Sequence, residues 1–327
     1  MKSAFVHRLV NKPFEDPSLF VRIARERRAF LFDIGSIVRL SPGDLQKVTD
    51  VFVTHTHIDH FIGFDTLLRA LLRRDIPLRV YGPSNICDCV EGKLRAYTWN
   101  LIHEYPLRID VHAVQGKRIV SSGFYAENRF QRTENGASEF HGVLLKDPLI
   151  TIKARELDHQ IPCLAFSLEE QFHINVNKVS LQAMGLPVGP WLSELKKAVR
   201  EDLPGETEFV ISRTRYTLEQ LRHITMITKG QKISYVTDVS LKNENLRKII
   251  EFVRSSDTLY CEAYFMEKDR DRALQRFHLT ARVTGRIARE AGVKNLVAMH
   301  FSPKYRGEDE TPEEEAREEF MTSHSRE

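Results

Sequence analysis

His55, His57, Asp59 and His60 stand within six residues, in the run His55-Thr-His-Ile-Asp-His60. Three imidazoles and a carboxylate spaced so closely suit zinc or a similar first-row divalent ion. The spacing is far more restrictive than a lone histidine pair, and a polar loop that merely happens to hold histidines explains it poorly. A single tetrahedral zinc takes about four ligands, and a catalytic zinc leaves one position to water. Two ions need more donors. Three later residues are placed to supply them: His159, Asp238 and His300 each end or follow a strand-like run. In a layered sheet, residues at strand ends converge on one edge.

The elements that must position these residues follow from hydrophobic pattern. The apolar run Val51 to Val53 reads as a buried strand leading into the histidine turn. A helix from Phe61 to Arg74 follows, with Leu67, Leu68, Leu71 and Leu72 on one face and arginines on the other. Before the turn, strands are expected over Ser3 to Val10, Leu19 to Ile23 and Ala29 to Gly35, and a short helix over Pro42 to Val48. Asp33, at the end of the third strand, reads equally well as an acid supporting the site and as a strand-end cap. After the turn come a strand at Leu78 to Tyr81, a helix from Ser84 (its candidate N-cap) to Trp99, and antiparallel strands over 108–120 and 140–157. Residues 175–215 change character, with Gly185, Pro187, Gly189 and Pro190 before a charged helix, and read as an inserted arm. The core resumes with a strand ending in Asp238, a helix near Asn243 to Arg254, a strand at Thr258 to Tyr264 holding Glu262, a helix at Leu279 to Ala291 and a strand at Leu296 to Met299. The acid-rich stretch Glu308 to Glu319 reads as an exposed, solvated helix.

Composition bounds the class. The chain has 327 residues with 42% hydrophobic and 28% charged, enough to bury the core of one large α/β unit. Its net charge of +3 is too near neutral to argue for nucleic acid on its own. Cys87, Cys89, Cys163 and Cys261 read as scattered free thiols, which suit a reducing cytosol. Lys2, His7 and Arg8 interrupt the N-terminus, so no secretory signal is expected there. No run approaches the roughly 18 apolar residues of a membrane span. The expectation is a soluble cytoplasmic protein.

The run His55-Thr-His-Ile-Asp-His60 resembles the signature of the metallo-β-lactamase superfamily. That resemblance implies a four-layer αββα sandwich, here one domain over 1–327 with a small inserted arm at about 175–215. It also implies two divalent metal ions, zinc first, with manganese or iron as alternatives. His55, His57 and His159 would hold one ion, Asp59, His60 and His300 the other, and Asp238 would bridge them. Longer segments are similar to ribonuclease Z, the endonuclease that matures the 3′ end of transfer RNA. These are Leu157-Asp-His-Gln-Ile-Pro-Cys-Leu-Ala-Phe166, the arm segment Leu181 to Lys197, Cys261-Glu-Ala-Tyr-Phe265, Phe277-His-Leu-Thr280 and Val297-Ala-Met-His-Phe-Ser-Pro-Lys-Tyr305. The similarity runs from about residue 29 to 306. It implies a metal-dependent hydrolase of phosphodiesters, with RNA or tRNA as partner and a homodimer as assembly. Within it, Asp59 would orient or deprotonate the attacking water. His278, held by Glu262, would protonate the leaving oxygen, since an imidazole titrates near neutral pH. The alternative is that His278 caps the following helix and Glu262 is a strand-end salt-bridge partner.

The chain departs from the family pattern in places that bear on substrate. Where the family has a cationic Pro-x-Lys-x-Arg-Asn loop, this chain has Asn11-Lys-Pro-Phe-Glu-Asp-Pro17. The family's Gly-Glu-Gly-Thr run is Asp33-Ile-Gly-Ser-Ile37 and its Gly-Asp-Thr is Thr237-Asp-Val239, while Glu262-Ala-Tyr-Phe265 resembles its Glu-Ala-Thr-Phe. The arm mixes Lys178, Lys196, Lys197, Arg200, Arg213 and Arg215 with Glu194, Glu201, Asp202, Glu206 and Glu208. Three readings stand. The first is a ribonuclease Z-like endonuclease, the second a phosphodiesterase of a small substrate such as a cyclic nucleotide, and the third a non-catalytic RNA-binding protein on the same fold.

Overall fold

The computed structural model describes residues 4–24 and 26–322; Lys2, Ser3 and His324 lie outside them. Short apolar runs make the central strands. Ala29–Phe32, Val48–Phe52 and Leu78–Pro83 pair in parallel and are buried nearly throughout, as strands covered on both faces must be. They sit within an eight-stranded sheet whose spatial order follows the chain, from Phe5–Leu9 to Arg132–Glu139. Antiparallel hairpins flank the parallel centre. A second, six-stranded sheet runs in the order Leu296–Met299, Thr258–Glu262, Lys232–Val236, Pro162–Glu170, Ile150–Asp158, Val143–Lys146.

The two sheets face each other through aromatic rings. Phe32 stacks on Phe52 at 5.1 Å and meets Phe166 and Tyr235 of the other sheet at 5.9 and 6.1 Å. Helices Phe64–Leu71 and Ile86–Arg95 cover the outside of the first sheet, burying Leu67, Leu71, Val90 and Leu94. Helices Asn243–Val253 and Ala281–Glu290 cover the second, burying Ile249, Val253, Val283 and Ile287. The result is a four-layer αββα sandwich.

The chain divides into two compact units. The first comprises Met1–Leu144, Ile152–Leu168 and Lys232–Glu327, and the second Leu145–Thr151 and Glu169–Gln231. The second unit contains residues 175–215 and is wider than that segment. It has a core of its own, where Leu181, Trp191, Leu195, Phe209, Ile211, Leu218 and Leu221 are buried together. Helix Trp191–Arg200 and two antiparallel strand pairs, Phe172–Val176 with Thr225–Lys229 and the hairpin Glu208–Ile211 with Thr214–Thr217, frame that core.

Four elements differ from the sequence expectation, each for a local reason. The helix expected over Phe61 to Arg74 is two pieces, Ile58–Phe61 and Phe64–Leu71. The break falls beside Gly63, where a Cβ would lie 2.1 Å from the Gly35 carbonyl oxygen. Gly35 in turn has no room for a Cβ, which would lie 2.4 Å from the Asp59 carbonyl oxygen. This contact of two glycines locks the end of one strand against the histidine turn, and a continuous helix would drive them apart. The short helix stops at Leu45, because Val48 already begins the next strand. The helix expected from Ser84 to Trp99 spans Ile86–Arg95, and Ser84 does not cap it. Asn85 occupies the N-cap, and its side-chain amide donates instead to Thr56 Oγ1 at 2.7 Å, inside the histidine turn. The acid-rich C-terminal helix, Pro312–Met321, is not a wholly solvated one. Thr311 and Glu314 close a capping box at its start, Ala316 is fully buried, and Gly285 of the preceding helix approaches the Ala316 carbonyl.

Candidate metal centre

Each donor-type side chain arrives from a strand end. Asp33 follows Ala29–Phe32, the histidine turn follows Val48–Phe52, His159 follows Ile150–Asp158, Asp238 lies just beyond Lys232–Val236, and His300 follows Leu296–Met299. Asp33, Asp238 and His300 all hold left-handed backbone, with φ of 55°, 54° and 56°. Asp and His reach that region more readily than branched residues, yet it remains strained for any L side chain. The reversal it makes aims three side chains inward from the rim of the sandwich.

Asp238 is the hub. Its Oδ2 lies 3.3 Å from His55 Nε2, 3.3 Å from His60 Nε2 and 3.8 Å from His159 Nε2, and its Oδ1 lies 2.8 Å from His300 Nδ1. Asp59 Oδ2 lies 3.3 Å from His300 Nε2 and 3.5 Å from His60 Nε2. Donor atoms of His55, His57, His159 and Asp238 fall within 4.8 Å of one another, and so do those of Asp59, His60 and His300. His55, His60, His159, Asp238 and His300 are buried, whereas His57 is exposed.

These donors suit divalent cations. His55 Nε2 and His60 Nε2 are buried and have no hydrogen-bond partner. A buried imidazole nitrogen without a partner carries a desolvation cost that an ion would offset. Two donors about 2.1 Å from one tetrahedral ion lie roughly 3.4 Å apart. The 3.3 Å separations around Asp238 Oδ2 match that figure and are long for a charge-assisted hydrogen bond.

Surrounding groups fix the rings. Asp33 Oδ2 accepts from His60 Nδ1 at 2.8 Å, and the same carboxylate accepts from the Thr54 amide and hydroxyl and from Tyr235 Oη. Asp33 therefore orients His60, which leaves Nε2 facing Asp238 and Asp59. His159 Nδ1 donates to the Phe277 carbonyl at 2.8 Å, leaving its Nε2 inward. Burial pushes His55 and His57 down, which favours the neutral imidazole that coordinates a metal. Burial would lower His60 as well, but Asp238 and Asp33 outweigh it and hold the group well above its ordinary value.

Beside these donors, His278 Nδ1 lies 2.8 Å from Glu262 Oε2, and Glu262 Oε1 accepts from the Val239 amide at 2.7 Å. The helix after His278 is capped by Thr280, not by His278. A cavity of about 650 Å³ opens onto His57, Asp59, His159, Asp238, His278 and His300.

Sequence reasoning did not single out Tyr264 as part of the site. Its ring stacks on the His278 imidazole with centroids 4.0 Å apart and planes 9° apart, and meets His300 edge-on at 5.1 Å. The available signal was the departure itself, since Tyr264 stands where the related motif has threonine. Thr237, whose hydroxyl donates to Asp238 Oδ1 at 2.9 Å, was also passed over.

The remaining described histidines serve elsewhere: His7 pairs with Tyr260, His112 with Ser121, His141 with Glu139 and His173 with Glu170. His103 lies beside Glu104, and His223 ends the Leu218–Arg222 helix. The four cysteines are free thiols, and burial pushes Cys87, Cys163 and Cys261 up, away from the thiolate a metal needs. The carboxylates of the 11–17 loop are engaged locally. Glu15 pairs with Arg39, and Asp16 Oδ2 accepts from the Ser36 amide at 3.0 Å.

No family model matches the chain. A ribonuclease Z of Deinococcus radiodurans is 27% identical to it over 308 residues, covering 92% of this chain and 91% of that one. A ribonuclease Z of Nanoarchaeum equitans is 28% identical over 289 residues, covering 86% and 76%. Among solved structures, a metallo-beta-lactamase fold protein from Bacillus subtilis superposes with a TM-score of 0.53 at 16% identity, covering 97% and 91%. No helix among the described residues is long and apolar enough to cross a membrane. The chain is a metallo-β-lactamase-fold protein, ribonuclease Z-like in sequence.

Proposed function

We propose that the chain is a two-metal hydrolase that cleaves phosphodiester bonds in RNA, with the 3′ extension of a precursor tRNA as substrate. The observation that carries this reading is the convergence of seven His and Asp donors, Asp238 among them, with two buried imidazole nitrogens left unpartnered. His55, His57 and His159 would hold one ion, Asp59, His60 and His300 the other, and Asp238 both. Zinc is the ion that the imidazole-rich donor set suits first. When bound, two such ions supply Lewis-acid polarisation of a phosphoryl group and a lowered pKa for the attacking water.

The chain's own residues do the rest. Asp59 faces the cavity with its carboxylate held by His300 Nε2, so it is placed to orient the attacking water. His278, with Nδ1–H donated to Glu262, presents Nε2 to protonate the leaving oxygen. Glu262 is buried and anchored by the Val239 amide, so it stabilises the imidazolium and fixes its orientation. Tyr264 restricts the imidazole to one plane by stacking.

The arm expected at about 175–215 falls within the second compact unit. That unit carries nine basic and nine acidic side chains. That balance favours a second reading, a phosphodiesterase of a smaller substrate, because an RNA clamp gains affinity from cations that release counterions. Four free thiols suit the cytoplasm. Ile58 and Ile62, exposed one turn apart beside the histidine turn, offer apolar surface for a homodimer, which light scattering would test.

The deciding experiment gives the metal-loaded protein three substrates: a 3′-extended precursor tRNA, bis(p-nitrophenyl) phosphate and a cyclic nucleotide. Trimming of the precursor supports the first reading. Hydrolysis of the small esters without trimming replaces it by the second. No turnover with two ions bound per chain rejects both and leaves a binding role.

A further inference from the structure

One part of the cavity wall is the helix Arg270–Arg276, which contributes Arg272, Gln275 and Arg276 to the lining. These three residues share one helix face, at spacings of three and four. All are exposed. Two arginines four apart repel each other, and such a pair is ordinarily relieved by a nearby carboxylate. Neighbouring cations are relieved in that way: Lys268 pairs with Glu308, Arg270 with Glu267 and Lys304 with Asp269. Arg272 and Arg276 form no ion pair within 4.0 Å among the described residues. Arg272 feels the charge of Asp269, but that carboxylate is already bonded to Lys304 Nζ and Tyr305 Oη. The loop at 11–17, where the family has a cationic loop, has its Glu15 paired with Arg39 and its only cation is Lys12.

We propose that Arg272, Gln275 and Arg276 form a subsite for a second phosphate, the one adjacent to the scissile phosphodiester on an RNA strand. The inference rests on the phosphodiesterase reading above for the position of the scissile group. A cavity of about 650 Å³ has more room than one phosphodiester fills. The unrelieved guanidinium pair marks where the extra anion lies, and Gln275 between them can donate to its oxygens. Arginine suits the role because its planar fork bonds two phosphate oxygens at once.

The test reads binding and turnover separately. Anisotropy of a short fluorescein-labelled single-stranded RNA is titrated with protein over a range of salt concentrations, metal-free and metal-loaded. Arg272→Ala and Arg276→Ala should each weaken binding roughly fivefold to tenfold at low salt and reduce the salt slope by about 0.7. Arg272→Lys should restore the slope but only part of the affinity. Arg286→Ala, which removes one charge from a neighbouring helix, is the control and should leave both unchanged. In turnover, the ratio of kcat/KM for the RNA to that for bis(p-nitrophenyl) phosphate, which has one phosphate, should fall about tenfold in either alanine variant. Slopes equal to wild type in both variants overturn the subsite. So does an equal loss on both substrates, which would place the arginines on the reacting phosphate. A nucleoside 3′,5′-bisphosphate that competes as tightly as the RNA overturns the assignment to a strand. If wild type turns over neither substrate, the phosphodiesterase reading fails, and the anisotropy slopes alone decide the subsite.

Discussion

The rim of the sandwich and the second compact unit handle charge in opposite ways. At the rim, carboxylates and imidazoles are buried together and two imidazole nitrogens lack partners. In the second unit exposed charges pair off around an apolar core, Arg215 with Glu208, Arg222 with Asp202 and Lys197 with Glu201, and the buried carboxylate of Glu170 is met by His173 and Arg200. Unsatisfied groups are costly and persist where a ligand satisfies them, whereas satisfied ones stabilise only the fold. The difference supports the rim as the candidate place of chemistry.

The largest effect should come from the hub. Asp238→Ala should abolish turnover and cost at least one of two bound ions per chain, counted by elemental analysis; two ions retained would break the comparison at its centre. Next, His278→Ala should lower kcat by about 10²–10⁴-fold with both ions kept. Loss of metal in that variant would make His278 a ligand instead of a proton donor. In the second unit, Trp191→Ala removes a ring buried against Leu195 and Phe209 and should destabilise that unit by about 3–5 kcal/mol. Hydrogen exchange should show faster exchange in residues 169–231 while metal content stays at two; a metal loss would mean the two regions are not independent. Tyr264→Leu removes the stack on His278 and should cost about 1 kcal/mol in the transition state, roughly fivefold in kcat. An effect confined to KM would show that the ring touches substrate only. Smallest of all, Arg215→Ala breaks an exposed ion pair and should change stability by less than about 0.5 kcal/mol in a denaturant melt.

The first sphere of donors was legible because ligand chemistry forces residue type and spacing, so His55, His57, Asp59 and His60 advertise themselves. His159, Asp238 and His300 were readable as polar residues ending apolar runs. The roles of Asp33 and Tyr264 were harder to see, since each acts through a partner distant in sequence: Asp33 on His60 and Tyr235, Tyr264 on His278. The split of the helix after the turn was missed for the same reason, because Gly63 answers to Gly35 and not to its own neighbours. The partners of the acids at 11–17, Arg39 and the Ser36 amide, likewise lie outside the reach of local pattern. Local pattern records what a segment must bury or bind, and it is silent on which distant group will meet it.

The three left-handed strand ends have a consequence for the life of the chain. Each holds an L residue where the backbone costs about 1–2 kcal/mol, and a glycine there would remove that cost together with the donor. Strain and function are inseparable at those positions. An ion present at a thousand times its dissociation constant contributes about 4 kcal/mol to the folded state. On the two-metal reading, starvation for the ion would stop turnover while most of the protein stayed folded, because about 4 kcal/mol is smaller than the roughly 5–15 kcal/mol by which folded domains are stable.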